Sequence, residues 1–515
     1  MKVNILFGGK AGQGTNILSN LLGQALTKIG YYVFMSREYQ SMIRGGHNFN
    51  ILTFSDSPVN SNDSQFDLIV ALDQNTVNIH QKELKKTGEI IQKDGGENMY
   101  FAGRMFKILC VDFRILEDEL KNLEKFEENL KEAKKGYEEE KKEICKVILN
   151  KEKLIFMNGN RGVSEGAIKS GLDLYYAYPM TPATNVMTEL SKKQIEKNIV
   201  VVELENETAV INAAIGSAMT GAKTMIGTSG GGFDLMTESF SLLGIAEIPL
   251  VIYLASRPGP STGAATYTAQ GDLEMMRFAG HGEFFRMILA PGDPKEAQEL
   301  TNQAFYFSQK FRIPVIVLSD KHLAESSYTL NKNPVIVSSE KSTSLRRYQS
   351  HEADEFGSTN DDAELIVKNV DRRMKKEQEI EKGAEKFTQF NIYGNETSEN
   401  VIVSWGSTKG AILDAIGESS CDDLKKSSEG AIIDGIKDLD AKFLQVLYLE
   451  PFAKIKKEIE GKNIILIENN ATGQLGKVIA EKTGIFIEDK NKILKYDGRP
   501  FFSDKLRLEI KERLK

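Results

Sequence analysis

The sequence predicts an α/β protein built of three doubly wound units, and three observations carry that prediction. Short runs rich in Val, Ile and Leu alternate along the chain with segments whose apolar residues recur at helical spacing. Strand after strand ends in a glycine- or serine-bearing turn that opens a helix, as at residues 8–15, 229–232 and 405–408. At 515 residues the chain is too long for one core, and about three domains is the natural division.

The first unit spans residues 1–152. Residues 3–7 read as a strand, and Gly8-Gly9-Lys10-Ala11-Gly12-Gln13-Gly14-Thr15 as a tight turn. Ile17, Leu18, Leu21, Leu22, Ala25, Leu26 and Ile29 mark the helix behind it, Gly30 stops that helix, and residues 31–35 form the next strand. The glycine spacing is G-x-x-G-x-G, neither the dinucleotide fingerprint nor a P-loop. The turn is therefore either an anion-holding helix N-terminus or a turn with nothing bound. Arg37, Arg44, Gly45 and Gly46 lie in a polar loop that reads equally as a phosphate- or partner-binding surface and as a solvated connection. Further strands are expected at residues 49–54, 66–72 and 105–111. The Glu- and Lys-rich stretch 115–151 carries Leu116, Leu120, Leu123 and Leu130 at helical intervals, the pattern of outer amphipathic helices without chemistry.

The second unit, residues 153–330, opens with a helix over 163–170 and a strand over 174–177 that ends in Tyr178-Pro179-Met180-Thr181-Pro182. Strand-to-helix connections at the carboxyl edge of an open α/β sheet are where ligands bind. Pro182 suits the first turn of the helix that follows, which Thr181 is placed to cap. Strand 200–202 leads to Glu203, Glu205 and Glu207 and then to a helix of small residues. Acids at a helix mouth suit the macrodipole, and spacing alone favours that reading over a carboxylate set against a flat ligand. Strand 223–228 ends in Ser229-Gly230-Gly231-Gly232, and strand 249–255 in a long loop from Ser256 through Arg257, Ser261, Thr262 and Gly263 to Gln270-Gly271-Asp272. A loop of that length after a buried strand is more often functional than decorative. A helix over 294–310 and a strand over 315–319 close the unit.

Residues 331–398 have the Ser-rich, then Lys/Glu-rich composition of a linker, with a helical part at 374–386. The third unit, residues 399–515, holds strands at 401–404, 443–449 and 463–467, helices opening near Thr408 and Gln474, and an ordered pattern that ends at 495–501.

Composition narrows the function. Apolar residues make up 41% and charged residues 27%, the balance of a globular protein. A net charge of −7, with signs mixed along the chain, argues against a nucleic-acid binder. Cys110, Cys145 and Cys421 are the three cysteines, far apart, which excludes a disulfide framework and argues against a zinc or iron–sulfur site within this chain. The longest apolar run, residues 248–255, is too short to cross a bilayer, and no apolar leader follows Met1; the expected location is the cytoplasm, with no membrane contact.

Several of these stretches together resemble one family, the 2-oxoacid:ferredoxin oxidoreductases, in the form whose alpha subunit carries a gamma domain fused at its N-terminus, as in 2-oxoglutarate ferredoxin oxidoreductase. GGKAGQG and REYQSMIRGG resemble the gamma domain, a Rossmann-like catalytic domain. YPMTP, ELENETAVINAAIG, TSGGGFDLMTE, RPGPSTG and QGD resemble the pyrimidine-binding domain of thiamine-diphosphate enzymes. SWGSTKGA, IENNATGQL and KYDGRPF resemble the transketolase-like C-terminal domain. The motifs occur in family order over most of the chain.

The resemblance implies a thiamine-diphosphate enzyme of anaerobic metabolism that oxidatively decarboxylates a 2-oxoacid to acyl-CoA and CO₂ and passes electrons to ferredoxin. It implies a separate beta subunit that holds the diphosphate, Mg²⁺ and the iron–sulfur cluster, in an alpha–beta heterodimer or a dimer of these. That division agrees with the lack here of a G-D-G…N motif and of clustered cysteines. By motif, Glu207 corresponds to the glutamate that bonds the pyrimidine N1′, and Thr181 to a threonine that contacts substrate or cofactor. Pro182, Ser229 and Gly230 fall on cofactor-side positions. Arg257 corresponds to a cation for the substrate carboxylate or a coenzyme A phosphate, and Ser261, Thr262, Gly263 and Thr266 fall beside it on the substrate and coenzyme A side. No metal ligand is assigned in this chain. Two alternatives remain at this stage: a non-catalytic scaffold with the same fold, and another transketolase-like thiamine-diphosphate enzyme.

One departure bears on the substrate, which the resemblance leaves open among 2-oxoglutarate, pyruvate, branched-chain and aryl 2-oxoacids. Where relatives carry Leu-Pro-Thr and a basic residue, this chain reads Ala264-Ala265-Thr266-Tyr267. A tyrosine can hydrogen-bond a distal group but cannot supply charge, so 2-oxoglutarate is disfavoured by that position.

Overall fold

The computed structural model describes residues 2–40, 46–93, 95–144, 154–331, 333–342, 349–417 and 439–514. Arg44, Cys145 and Cys421 lie outside them. Three α/β sheets organise the molecule.

The first sheet has seven strands in the order Leu84–Gln92, Phe66–Ala71, Lys2–Lys10, His47–Ser55, Tyr32–Glu38, Ser327–Leu330 and Ile155–Asn158. Its first three strands are parallel, and His47–Ser55 runs antiparallel between Lys2–Lys10 and Tyr32–Glu38. The glycine-rich turn leaves the first strand and opens the helix Thr15–Lys28, with Gly14 at φ 81 in the N-cap position. Ser327–Leu330 and Ile155–Asn158 complete the far edge, so this sheet draws strands from either side of residue 153.

The second sheet runs Tyr448–Glu450, Met287–Leu289, Pro314–Asp320, Leu250–Ser256, Thr224–Thr228, Leu174–Ala177 and Val200–Glu203. All are parallel except Tyr448–Glu450. The central strands are buried along their whole length, as the continuous apolar runs of a sheet covered on both faces require. The third sheet is Phe390–Gly394, Lys442–Val446, Asn400–Trp405, Asn463–Glu468 and Lys492–Leu494, with an antiparallel edge at Phe390–Gly394.

The structure corrects four expectations of the sequence. Residues 105–111 are not a strand: they lie in and after the helix Asn98–Ile108, which packs on Phe126–Glu139. Gly103 there stands where a Cβ would be 1.8 Å from the Ala133 carbonyl, and Gly136 where one would be 2.0 Å from that of Tyr100. Small residues thus let two helices touch at the backbone, and a short apolar run does not distinguish helix from strand. The run 443–449 is two strands rather than one, Lys442–Val446 in the third sheet and Tyr448–Glu450 in the second, with the chain passing between sheets at Leu447. Residues 363–384 of the linker form one long helix, Ala363–Ala384, capped by the Asp362 carboxylate. A last helix, Ser503–Arg513, follows the point where the pattern was expected to end. The strand Leu84–Gln92 has no alternating apolar pattern to announce it.

Candidate active site

The second sheet presents the carboxyl ends of its parallel strands at one edge, and the singled-out motifs leave from those ends. Tyr178–Pro182 follows Leu174–Ala177, Glu207 follows Val200–Glu203, Ser229–Gly232 follows Thr224–Thr228, and Arg257 follows Leu250–Ser256.

Of the three acids at the helix mouth, Glu203 and Glu205 are exposed and Glu207 is 4% exposed. Asn206 caps the helix Glu207–Met219 by accepting from the Ala209 amide at 2.8 Å, so the cap does not need Glu207. The Glu207 carboxylate turns instead towards the glycine turn. A Cβ on Gly232 would stand 2.8 Å from Glu207 Oε1 and 2.2 Å from the Thr228 hydroxyl. Only glycine gives the acid that room. Glu207 Oε1 is buried and has no hydrogen-bond donor, and the buried hydroxyl of Ser229 also lacks a partner. Buried polar atoms without partners are costly, and these two flank the same glycine turn.

The turn carrying Thr181 is held from below. Asn160, fully buried, donates to the Pro182 carbonyl at 3.0 Å and accepts from the Tyr253 hydroxyl at 2.8 Å. The next helix begins at Thr184 with Ala183 in the N-cap position, so neither Pro182 nor the Thr181 side chain serves the helix start. Arg257 Nη1 donates to the Thr181 carbonyl at 2.9 Å, which ties two motif loops together, while its buried Nε has no acceptor. Burial holds the Arg257 guanidinium below its ordinary pKa, against the pull of Asp272 and Glu207.

The loop after Arg257 folds back on itself. Ala264 donates to the Pro258 carbonyl at 3.0 Å, and a Cβ on Gly263, at φ 51, would lie 1.8 Å from that same oxygen. Ser261, Thr262 and Gly263 are exposed at its tip. Thr266 is buried and its hydroxyl donates to the Tyr39 carbonyl at 2.6 Å, a tether to the first sheet. The Tyr267 ring is covered by the Arg499 guanidinium, 3.9 Å from its centroid, and Arg499 pairs with the buried Glu38 at 2.7 Å. A cation therefore does stand at position 267, but it comes from the third sheet's side of the molecule and is paired.

Asp272, from the QGD motif, was not among the residues given a role by sequence. Its Oδ2 is buried and its carboxylate lies against Gly230, where a Cβ would meet three of its atoms at 2.6–2.8 Å. Burial pushes the Asp272 carboxyl above the ordinary carboxylate range, with Asp234 adding to the rise and Ser256 and Arg257 opposing it. Two carboxylates thus face alternate glycines of one turn, Asp272 at Gly230 and Glu207 at Gly232. Among the described residues no group of His, Cys, Asp and Glu is arranged to hold a metal ion.

Two family models match this chain. Residues 165–402 match "pyruvate flavodoxin/ferredoxin oxidoreductase, thiamine diphosphate-binding", and residues 4–125 match "pyruvate ferredoxin/flavodoxin oxidoreductase". The chain belongs to the 2-oxoacid:ferredoxin oxidoreductase family. Among its relatives, the 2-oxoacid:ferredoxin oxidoreductase subunit alpha of Saccharolobus solfataricus is 29% identical over 100% of this chain and 98% of its own length. The 2-oxoglutarate synthase subunit KorA of Archaeoglobus fulgidus is 39% identical over 33% of this chain and 50% of its own. A solved 2-oxoglutarate:ferredoxin oxidoreductase from Magnetococcus marinus, with 2-oxoglutarate, coenzyme A and succinyl-CoA bound, superposes with a TM-score of 0.84 over the whole of both chains at 22% identity, a likeness of fold. The chain is thus an alpha-type oxidoreductase subunit with a thiamine-diphosphate-binding domain. Among the described residues no helix is long and apolar enough to cross a membrane.

Proposed function

We propose that this chain supplies the pyrimidine-side half of a thiamine-diphosphate site for the oxidative decarboxylation of a 2-oxoacid to acyl-CoA and CO₂. A beta subunit carrying the diphosphate and Mg²⁺ site and an iron–sulfur cluster completes it and passes electrons to ferredoxin. The observation that carries this reading is the buried, donor-less Glu207 Oε1 beside a turn kept free of side chains. A protonated ring nitrogen satisfies that oxygen, and a flat ring fits beside Gly230–Gly232, so the residues present fit the aminopyrimidine.

When bound, thiamine diphosphate supplies the carbon nucleophile and the electron sink for decarboxylation. Glu207 holds a proton on the pyrimidine N1′, and that proton makes the 4′-amine a stronger acid. Ser229 and Gly230 border the ring. Arg257, anchored on the Thr181 carbonyl with Nε left over, binds the carboxylate of the 2-oxoacid or a coenzyme A phosphate. The exposed tip Ser261-Thr262-Gly263 offers donors at the mouth, where coenzyme A approaches. Thr266 contributes there through the shape of the loop it tethers.

The test is reconstitution. The chain alone is expected to be colourless and inactive; co-expressed with its beta partner it is expected to reduce viologen with a 2-oxoacid and coenzyme A. A panel of pyruvate, 2-oxoglutarate, branched-chain and aryl 2-oxoacids ranks the substrates, with uncharged side chains ahead of 2-oxoglutarate because the Arg499 guanidinium over the Tyr267 ring is paired with Glu38. Absence of turnover with every 2-oxoacid contradicts the proposal.

A further inference from the structure

The loop that leaves Arg257 takes its shape from outside itself. Its tip is exposed and strained: Ser261 stands at φ 56 and Gly263 at φ 51, in the left-handed region that side chains rarely adopt. Such a conformation persists where the surroundings over-determine it. Two backbone bonds brace the loop internally, Ala264 to the Pro258 carbonyl at 3.0 Å and Tyr267 to the Ala264 carbonyl at 3.1 Å. The remaining hold on its two stems comes from the third unit.

Asn469 is the centre of that hold. It follows the strand Asn463–Glu468 and is 3% exposed. Its Nδ2 donates to the Lys495 carbonyl at 2.8 Å and to the Arg499 carbonyl at 3.2 Å, so both amide protons close the two ends of one turn. Asp497 braces the same turn from within, accepting from the Arg499 amide at 2.9 Å. The closed turn is a seat for the loop. The Gly498 carbonyl accepts from the Thr268 amide at 3.1 Å, and the Arg499 guanidinium lies 3.9 Å from the centroid of the Tyr267 ring. Gly498 itself, at φ 77, presses on the first stem as well: a Cβ there would stand 3.2 Å from Tyr267 Cβ and 3.7 Å from Pro258 Cγ. Asn469 also grips the second stem directly. Its carbonyl accepts from the Gln270 amide at 2.7 Å, and its amide donates to the Gln270 side chain at 2.8 Å.

We propose that Asn469 is a positioning residue: by closing the turn from Lys495 to Arg499 it builds the seat that holds Pro258 and Thr268 in place, so that Ser261, Thr262 and Gly263 are presented to coenzyme A. The inference rests on the approach of coenzyme A at that tip, as given above. Asn469 touches no ligand in this account. Arg257 has its own anchor on the Thr181 carbonyl, so the side of the site that receives the 2-oxoacid does not depend on the seat.

The test uses the complex with its partner subunit, reading viologen reduction. Asn469→Asp keeps the size but sets an acceptor against two carbonyl oxygens, which opens the turn. The KM for coenzyme A is expected to rise about tenfold, with kcat at saturating coenzyme A and the KM for the 2-oxoacid within about twofold. A general loss of structure would instead lower kcat or move both KM values. Gly498→Ala, which alters the seat and leaves Asn469 in place, is expected to show the same split, and it carries the test alone if Asn469→Asp does not assemble. An unchanged KM for coenzyme A, or both KM values rising together, overturns the role of Asn469. A wild-type complex that turns over no 2-oxoacid overturns the functional reading beneath it, so the two failures are distinct.

Discussion

At the residue scale, three acids written two apart differ in everything but type. Glu203 and Glu205 face solvent, while Glu207 is buried with an oxygen that no protein donor reaches. Glu203→Gln and Glu205→Gln are expected to leave turnover intact and to shift stability by no more than about 0.5 kcal/mol, as surface changes do. Asp272 ties burial of a carboxylate to stability through its contact with Gly230. Its carboxyl is pushed up by burial in the folded chain, so between the ordinary carboxylate value and the raised one the native state binds the extra proton. Stability linked to this group is therefore full below the ordinary value and falls as pH rises through that window. Asp272→Asn, which lacks the titration, is expected to melt at or above the wild-type temperature at pH 7, with the difference closing near pH 4, about the ordinary carboxylate value. A melting temperature lowered at pH 7 would show that the carboxylate serves the fold. Glu207 is legible because the motif around it is long; Asp272 is not, because nothing local says that its carboxylate oxygen is covered. The available signal was the Gln-Gly-Asp run itself, at the end of a long loop.

At the scale of elements, most of the second sheet could be read from its apolar strand runs, but they do not announce Met287–Leu289 and do not separate Tyr448–Glu450 from its neighbour. The helix Asn98–Ile108 could not be read, because its partner contacts are made by Gly103 and Gly136 across the sequence. The division of 443–449 between two sheets was also hidden, since both halves are equally apolar and only tertiary packing separates them. Gln270 joins the second unit to the third through the Trp405 carbonyl and the Asn469 amide, positions up to 199 apart in the chain. Gln270→Leu leaves the Asn469 amide buried without its partner, at a cost of about 1–3 kcal/mol, while the Trp405 carbonyl keeps the Thr408 hydroxyl. A lower melting temperature is the expected outcome, and an unchanged one would show that these bonds do not hold the two units together.

At the scale of the molecule, the three sheets are joined by more than the chain. Ser327–Leu330 and Ile155–Asn158 complete the first sheet, Tyr448–Glu450 completes the second, and a buried Lys409 bridges Asp293 and Glu296 between the second and third units. Such joins predict cooperative melting. Trp405, the single tryptophan, is buried where the third sheet packs against the second unit and reports on that region, while far-ultraviolet circular dichroism reports on the whole. Their midpoints are expected to coincide within about 2 °C; two separated transitions would mean units that fold independently. The sequence could announce three units from length and alternation, but strands that cross between them depend on edges formed only after folding. Subunit-alpha relatives place the chain in a multi-subunit enzyme, so the proposed function is tested on the complex. The most direct measurement is therefore turnover of the reconstituted complex bearing Glu207→Gln. The account predicts a fall in kcat of roughly 10²-fold or more, with the fold and the partner contact intact, because a group that holds a proton at the reacting ring is lost. Turnover close to that of the wild type would contradict it.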